Sequence, residues 1–352
     1  MEKRTFKEDP EVSCKSLVYR IKEEQRLKQK NLFYRDLQSK SRNLSKDIRK
    51  RLFLDILPSF MPSNSKEIIE LFRNTKPEKK HKVDVLVVTI KIPELFAAKI
   101  AFDIDKDLPE NYEVDGLRIW EKTIDSQNDG KISIGLTMIG SAGNVTCARA
   151  CSKLFSVIDC KLCILIGICA GLKSKVKIGD VIAADMILDY ESGRKTQKKF
   201  EKRPNAYRLD TFMERSLSYF HPDSLNWQNY VSGKVDELNQ VIKTKRIKSW
   251  FPNYLHGIIL SGEKLIVDGT LPSMQKEYHE QTRAAEMEGS GFASICKEFN
   301  MPWLIFRGVS DFGDSKKSTT KDLQPLAALS AATIAKYYLM STHRKTDEDK
   351  KF

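Results

Sequence analysis

From Val83 onward the chain alternates short apolar runs with amphipathic segments, and this pattern is compatible with few folds. The runs typical of β-strands are Val83–Ile90, Ile132–Ile139, Leu162–Ile168, Asp180–Ala184, Gly257–Leu260 and Trp303–Val309. The segments typical of helices are Val145–Val157, Glu288–Phe299 and Pro325–Met340. Alternation of this kind builds a sheet whose two faces are both covered. The sequence therefore predicts an α/β three-layer sandwich around a central, mostly parallel mixed sheet.

Residues 1–82 form a separate electrostatic unit, with a net charge of +10 out of +13 for the whole chain. Apolar residues near helical spacing in Ser16–Leu57 and a shorter segment, Ser65–Arg73, predict a basic helical accessory region. We expect residues 83–342 to form the catalytic α/β domain and residues 343–352 a polar tail. A basic region can contact a protein or a nucleic acid, but a solvated cap or oligomerisation arm fits equally well.

Composition excludes several classes of protein. With 41% apolar and 30% charged residues, the chain is neither wholly disordered nor fibrous. No apolar run approaches the ~20 residues that cross a bilayer, and the basic start has no apolar segment after it. Five of the seven cysteines lie in one apolar stretch, which favours reduced, buried thiols. We expect a cytoplasmic protein without membrane contact.

Two glycine-containing clusters follow predicted strands, at the edge where open α/β sheets place their ligands. The turn Ile139–Val145 brings backbone amides to a helix N-terminus, although it matches neither a dinucleotide nor a Walker motif. The segment Leu165–Leu172 has small residues that leave room for a flat ligand. Tight packing turns are the alternative for both. The candidate binding residues here are Gly140, Ser141, Gly143, Ala170 and Gly171.

Two carboxylate-containing clusters also follow strands. In Ala285–Gly289 a Glu-Met-Glu sequence can grip the vicinal hydroxyls of a sugar, although Glu286 also suits the first turn of a helix. In Phe306–Phe312 an aspartate in a partly dry pocket can hold a proton and deliver it to a leaving group, or simply cap a turn. The candidates are Glu286, Met287, Glu288, Arg307, Ser310 and Asp311.

In combination, the ordered motifs are specific to a family. The order is Gly-Ser-Ala-Gly-Asn-Val, Gly-Ile-Cys-Ala-Gly-Leu with Gly-Asp-Val, Ser-Gly-Glu-Lys-Leu-Ile, Glu-Met-Glu-Gly and Arg-Gly-Val-Ser-Asp. From about Val83 to Met340 the chain resembles the nucleoside phosphorylase and nucleosidase superfamily. Its motifs are most similar to those of methylthioadenosine/S-adenosylhomocysteine nucleosidases.

The resemblance implies a role for each matching residue. Asp311 would protonate purine N7 with help from Ser310, while Glu288 and the Met287 backbone would hold the ribose hydroxyls. Glu94, in Ile-Pro-Glu-Leu-Phe-Ala, falls where nucleosidases keep the carboxylate that activates water. These groups answer the charges that develop as an N-glycosidic bond breaks. The resemblance also implies a homo-oligomer.

Leu265 and Ile266 fall where related enzymes contact the purine base. An aromatic residue is common at the first position, so Leu265 leaves the base preference open. No arginine lies near Glu94 to bind phosphate, and the glycine turn offers only Ser141, with Arg149 downstream. This favours hydrolysis.

The expected function is therefore hydrolysis of a purine nucleoside or nucleotide to the free base, with adenine preferred. No metal or redox cofactor is expected, because Cys160-x-x-Cys163 lacks a second ligand pair nearby. The alternatives are a phosphorolytic purine nucleoside phosphorylase and a catalytically silent nucleoside-binding module.

The basic stretch Arg194–Arg203 is expected near the 5′ side of the substrate. Its residues Lys195, Lys198 and Lys199 would hold a 5′-phosphate if the substrate is a nucleotide such as AMP or ATP, although a solvated loop is the alternative. Chains that fuse this catalytic domain to another segment resemble the nucleoside-cleaving effectors of bacterial immune systems.

Overall fold

The computed structural model describes residues 81–127, 130–197, 199–242 and 250–342. These residues belong to the unit Lys79–Phe352. The predicted helical segments of the basic region and the polar tail at 343–352 lie outside the described residues. Their structure and roles remain predictions.

Strands and helices alternate along the described chain. The strands are β1 (His81–Lys82), β2 (Val85–Thr89), β3 (Tyr112–Val114), β4 (Leu117–Ser126), β5 (Gly130–Met138), β6 (Ile158–Asp159), β7 (Leu162–Gly171), β8 (Val181–Asp189), β9 (Gly193–Lys195), β10 (Phe200–Lys202), β11 (Asn205–Arg208), β12 (Tyr254–Ser261), β13 (Thr282–Glu286) and β14 (Trp303–Asp311). The helices are α1 (Ile92–Ala101), α2 (Asn144–Val157), α3 (Thr211–Ser218), α4 (Ser224–Val241), α5 (Leu271–Tyr278), α6 (Gly289–Glu298) and α7 (Gln324–Thr342), with a 3-10 helix at Ser315–Leu323. None of the described helices is both long and apolar enough to cross a membrane.

The main sheet has ten strands in the order β11-β8-β12-β13-β7-β2-β5-β4-β3, and β14 pairs with both β7 and β8. Strands β5, β2, β7 and β14 run parallel to one another. Strands β8, β12 and β13 form a second parallel block. The two blocks meet in antiparallel pairs, β13 with β7 and β14 with β8. The prediction of a mixed α/β sheet is confirmed, with antiparallel pairs where the two parallel blocks meet and at the edges.

All the strands and helices predicted after Val83 are present, with ends shifted by a few residues. The pattern does not predict β4, which mixes buried, half-buried and exposed residues without regular alternation and includes several charges. It also misses β13, a five-residue strand that is held between β12 and β7. For these strands, pairing with neighbours decides the structure more than local propensity does.

Strand β14 is buried at every position, and the sheet is accordingly covered on both faces. Helix α7 packs on β14 and β7 and also against α1 and α4, while α6 packs on α2. At Gly308 the helix comes so close that an added Cβ would collide with the carbonyl oxygen of Ala327. This close approach fixes the strand whose last residues are Ser310 and Asp311.

Replacing Gly308 with alanine should therefore destabilise the protein, because neither backbone can move away without disturbing the core. We expect a loss of about 1–3 kcal/mol in the free energy of unfolding, measured by urea denaturation. The control is Gly233→Ala inside α4, where nothing lies within 4 Å of an added Cβ; it should gain about 0.4–1 kcal/mol. Equal effects at the two glycines would contradict the close-packing argument.

Candidate active site

A cavity of about 300 Å³ opens at the carboxyl ends of β7, β13 and β14. Its wall carries four carboxylates, four lysines and a group of small or apolar side chains. The structure brings together nine of the residues that the sequence predicts for the site: Glu94, Ala170, Leu265, Ile266, Glu286, Met287, Glu288, Ser310 and Asp311. Residues from distant parts of the chain thus converge on one site, at the sheet edge where the fold class places ligands.

Asp311 is held at the end of β14 by donors on both carboxylate oxygens. The Ser310 hydroxyl donates to Oδ2 at 2.8 Å, and the Gly313 backbone N–H donates to Oδ1 at 2.9 Å. The Lys317 ammonium lies 3.2 Å from Oδ2. The register between β14 and β7 shifts between Val309 and Asp311, which leaves Ser310 as an extra residue in the strand. Such a bulge re-aims the side chains beside it.

Glu288 and Glu286 share one buried guanidinium. Nη2 of Arg307 donates to Glu286 Oε2 at 2.5 Å and to Glu288 Oε2 at 3.0 Å. Glu286 also accepts the backbone N–H groups of Glu288 and Gly289, at the start of α6. Because both its oxygens accept N–H groups at the start of α6, Glu286 holds the turn that presents Glu288.

Glu94 lies in the first turn of α1, and its carboxylate is fixed by three backbone donors. Oε2 accepts from the N–H groups of Ile90 at 2.8 Å and Lys91 at 2.9 Å, and Oε1 accepts from Ile168 at 3.2 Å. Glycine at 167 leaves the space for this group, because an added Cβ would collide with both Arg307 and Glu94. Three carboxylates therefore surround one guanidinium.

This crowding changes the proton affinity of Glu288. Burial raises its pKa to about 7, Arg307 opposes the rise, and the neighbouring charges of Glu286 and Glu94 add to it. The backbone N–H of Gly143 donates to Glu288 Oε1 at 3.2 Å. Near neutral pH, Glu288 is therefore only partly ionised.

Five predicted binding residues are not in the cavity wall: Gly140, Ser141, Gly143, Gly171 and Arg307. The expectation that Arg307 contacts substrate is corrected, because its side chain is fully buried beneath the cavity and pairs with two carboxylates. Gly140 and Gly143 adopt positive φ angles of 93° and 116° in the turn before α2, which explains glycine at both positions. Gly143 reaches the site through its N–H donation to Glu288.

The cavity wall contains four lysines that are not predicted from the sequence: Lys91, Lys264, Lys317 and Lys321. The candidate for substrate cations in the sequence is the stretch Arg194–Arg203, with a solvated loop as the alternative, and none of its described residues lines the cavity. The run Ser-Lys-Lys-Ser-Thr-Thr-Lys, just after Asp311, is the signal that would have pointed to the 3-10 helix.

Buried cysteines surround the strands behind the site. The six cysteines in the described part of the chain are all buried and free, as expected for reduced thiols. Cys160 contacts the sulfur of Met301 at 3.7 Å. Cys163 is fully buried, and burial raises the pKa of its thiol. These contacts are those of packing side chains.

The described part of the chain matches a known protein family. The family model described as the phosphorylase superfamily matches residues 86–339. The chain belongs to the phosphorylase superfamily. It is 32% identical over 268 residues to the ATP nucleosidase Cap17 of Escherichia coli (strain KTE188), covering 74% of this chain and 51% of that protein. The chain thus spans about half the length of this relative.

Proteins named 5′-methylthioadenosine/S-adenosylhomocysteine nucleosidase are also similar. The 5′-methylthioadenosine/S-adenosylhomocysteine nucleosidase of Mycobacterium bovis is 24% identical over 214 residues, covering 59% of this chain and 82% of that protein. The structure of the S. pneumoniae nucleosidase of the same name, with a transition-state inhibitor, superposes with a TM-score of 0.51 at 19% identity, covering 73% of this chain and 98% of that chain. This likeness confirms the predicted fold.

Removing the shared guanidinium should destabilise this member of the superfamily. Arg307→Met leaves buried carboxylates without their counter-charge, and we expect a loss of about 3–5 kcal/mol in unfolding free energy. The control, Arg118→Met, removes a mostly exposed arginine whose Nε lies 3.7 Å from Glu110; it should cost less than about 1 kcal/mol. A small effect at Arg307 would mean that the carboxylates are not charged together.

The raised pKa of Glu288 predicts a pH dependence of stability. A carboxyl group whose pKa is higher in the folded protein than its ordinary value of 4.5 stabilises the fold below that value, and this contribution disappears as pH rises through about 7. Wild type should therefore lose up to about 3 kcal/mol relative to Glu288→Gln between pH 4.5 and pH 8. Urea denaturation across this range measures the difference, and parallel curves for the two proteins would refute the raised pKa.

Proposed function

We propose that this protein hydrolyses the N-glycosidic bond of a purine nucleoside or nucleotide and releases the free base, with adenine preferred. The observation that carries this proposal is the convergence of Asp311, Glu288 and Glu94 on one cavity. Bond cleavage builds negative charge on the base and positive charge on the sugar, and it requires a nucleophile. One acidic side chain is available for each of these three demands.

Asp311 delivers a proton to purine N7, and Ser310 keeps its carboxyl group aimed into the cavity. Glu288 accepts hydrogen bonds from the ribose hydroxyls, with Met287 beside it in the wall. Leu265 and Ile266 contact the base. Positive charge that develops on the sugar is stabilised by the nearby carboxylates, as in other glycoside hydrolyses.

Glu94 activates the attacking water, and its surroundings favour water over phosphate. The backbone N–H groups of Ile90, Lys91 and Ile168, which would otherwise suit an anion, already donate to its carboxylate. A phosphate ion there would meet the negative charges of Glu94 and Glu288. No arginine lines the cavity among the described residues. The names of the similar nucleosidases support hydrolysis over the phosphorolytic alternative.

The similarity to an ATP nucleosidase also supports a nucleotide as the substrate. Because hydrolysis of the N-glycosidic bond of ATP would remove an energy carrier, we propose that the protein acts as an effector of a bacterial immune or stress system. The buried, free cysteines are consistent with a cytoplasmic location. We further propose that it works as a homo-oligomer and that residues 1–82 contact a protein or a nucleic acid.

Release of free base tests the main proposal. Purified protein is incubated with adenosine, methylthioadenosine, AMP, ATP and guanosine, with and without phosphate, and the base is separated by chromatography. We expect adenine release that does not require phosphate. A strict need for phosphate would assign phosphorolysis, and no release from any substrate would leave a silent binding module.

Asp311→Asn should lower the rate of base release by about 10²–10⁴-fold, because asparagine cannot deliver the proton. The matched control is Asp322→Asn, on the exposed surface of the 3-10 helix and outside the cavity wall; its rate should stay close to that of wild type. Thermal melting of both variants checks the fold. A rate that survives the loss of Asp311 would remove this residue from the mechanism.

A further inference from the structure

The cavity contains more positive charge than a nucleoside requires. Lys91, Lys264, Lys317 and Lys321 line it together with the carboxylates. Neither a purine base nor a ribose ring carries a negative charge that ammonium groups would bind. The lysines therefore need either partners within the protein or an anionic part of the substrate.

Among the described residues, two of these lysines have an ion-pair partner and two have none. Lys264 lies 3.4 Å from Glu191, and Lys317 lies 3.2 Å from Asp311. Lys91 and Lys321 form no ion pair with any residue in the described part of the chain, although both line a cavity that also contains carboxylates. Their charges are available for an anionic ligand.

Exposure increases from Asp311 to Lys317 and then to Lys321. The side chain of Asp311 is 2% exposed, that of Lys317 is 19% exposed, and Lys321 is an exposed residue. Lys91, also exposed, lies on a different segment, immediately before α1 and three residues before Glu94. Two separate elements thus place ammonium groups at the outer part of the cavity.

The size of the cavity indicates which part of a substrate meets these groups. A volume of about 300 Å³ is at the lower limit for a small-molecule site, so base and ribose fill it. With the base at Asp311 and the ribose hydroxyls at Glu288, the remaining ribose substituent is at C5′. A chain attached there must extend toward the opening, where the lysines lie.

We propose that Lys91, Lys317 and Lys321 bind the 5′-phosphate chain of a purine nucleotide, so that nucleotides are cleaved in preference to nucleosides. This inference rests on the proposed function and assigns its substrate class. Phosphate oxygens accept charge-assisted hydrogen bonds from lysine, which acts as a point charge. Lys317, whose ammonium lies 3.2 Å from Oδ2 of Asp311, is then shared between the acid and the phosphate chain.

The test compares ATP, AMP and adenosine as substrates of wild type and of Lys91→Gln, Lys321→Gln and the double variant. Wild type should have a higher kcat/KM for ATP than for adenosine. Each single variant should lower the ratio of these two values about tenfold, and the double variant about a hundredfold if the sites act independently. Raising the salt concentration should weaken ATP cleavage more than adenosine cleavage.

Lys195→Gln and Lys199→Gln are the matched controls, because both lysines are exposed and neither lines the cavity. They should leave the ratio within about twofold of wild type. An equal drop in the controls, an unchanged ratio in the cavity variants, or a wild-type preference for adenosine overturns this inference alone. Release of base from no substrate overturns the proposed function, and this inference with it. Thermal melting of each variant separates loss of fold from loss of recognition.

Discussion

The buried ion pairs of Arg307 set the arrangement of the whole site. Its guanidinium is completely buried and forms ion pairs with Glu286 and Glu288. Glu94 lies close enough to act electrostatically on the guanidinium and on Glu288. A buried charge is costly unless it is paired and hydrogen-bonded. Here one cation compensates three carboxylates only in part, and burial leaves Glu288 with a pKa of about 7. The protein thus keeps a carboxyl group in the cavity that is only partly ionised near neutral pH.

The ion pair between Arg307 and Glu286 also connects the strands of the sheet to the carboxylates of the cavity. Arg307 belongs to β14, the strand that ends in Ser310 and Asp311, whereas Glu286 ends β13. The ion pair therefore connects strands from the two parallel blocks, which meet near this point. Because Asp311 follows Arg307 by four residues on the same strand, the position of its carboxyl group depends on the pairing that holds Glu288.

Much of the fold and the three central carboxylates could be predicted from the sequence. Apolar periodicity reveals the buried strands, and ordered motifs place Asp311 and Glu288 at strand ends. The direction of a side chain is not visible in this way. From the sequence, Arg307 is compatible both with a substrate contact and with a buried counter-charge. Only the packing of β14 distinguishes the two. The short strand β13 and the bulge at Ser310 likewise depend on pairing with neighbours.

The cavity lysines were missed for a related reason. Lys91 is far in the sequence from Lys317 and Lys321, and the topology alone brings the three to one opening. Arg194–Arg203 is a denser basic run and attracts attention in the sequence, yet its described residues lie outside the wall. Charge density along a chain is therefore a poor guide to charge around a cavity when the contributing residues come from different elements.

In the proposed function, the separation of charge across the cavity influences both the choice of nucleophile and the choice of substrate. Carboxylates lie in its buried part, and ammonium groups lie toward its opening. A nucleotide that enters base first is attracted by its phosphates to the opening, whereas the reversed orientation would bring phosphates against Glu94 and Glu288. In the proposed reaction, the field that orients the substrate also keeps inorganic phosphate away from the sugar, which favours water as the nucleophile. On this argument, a preference for nucleotides and hydrolysis instead of phosphorolysis have the same electrostatic origin.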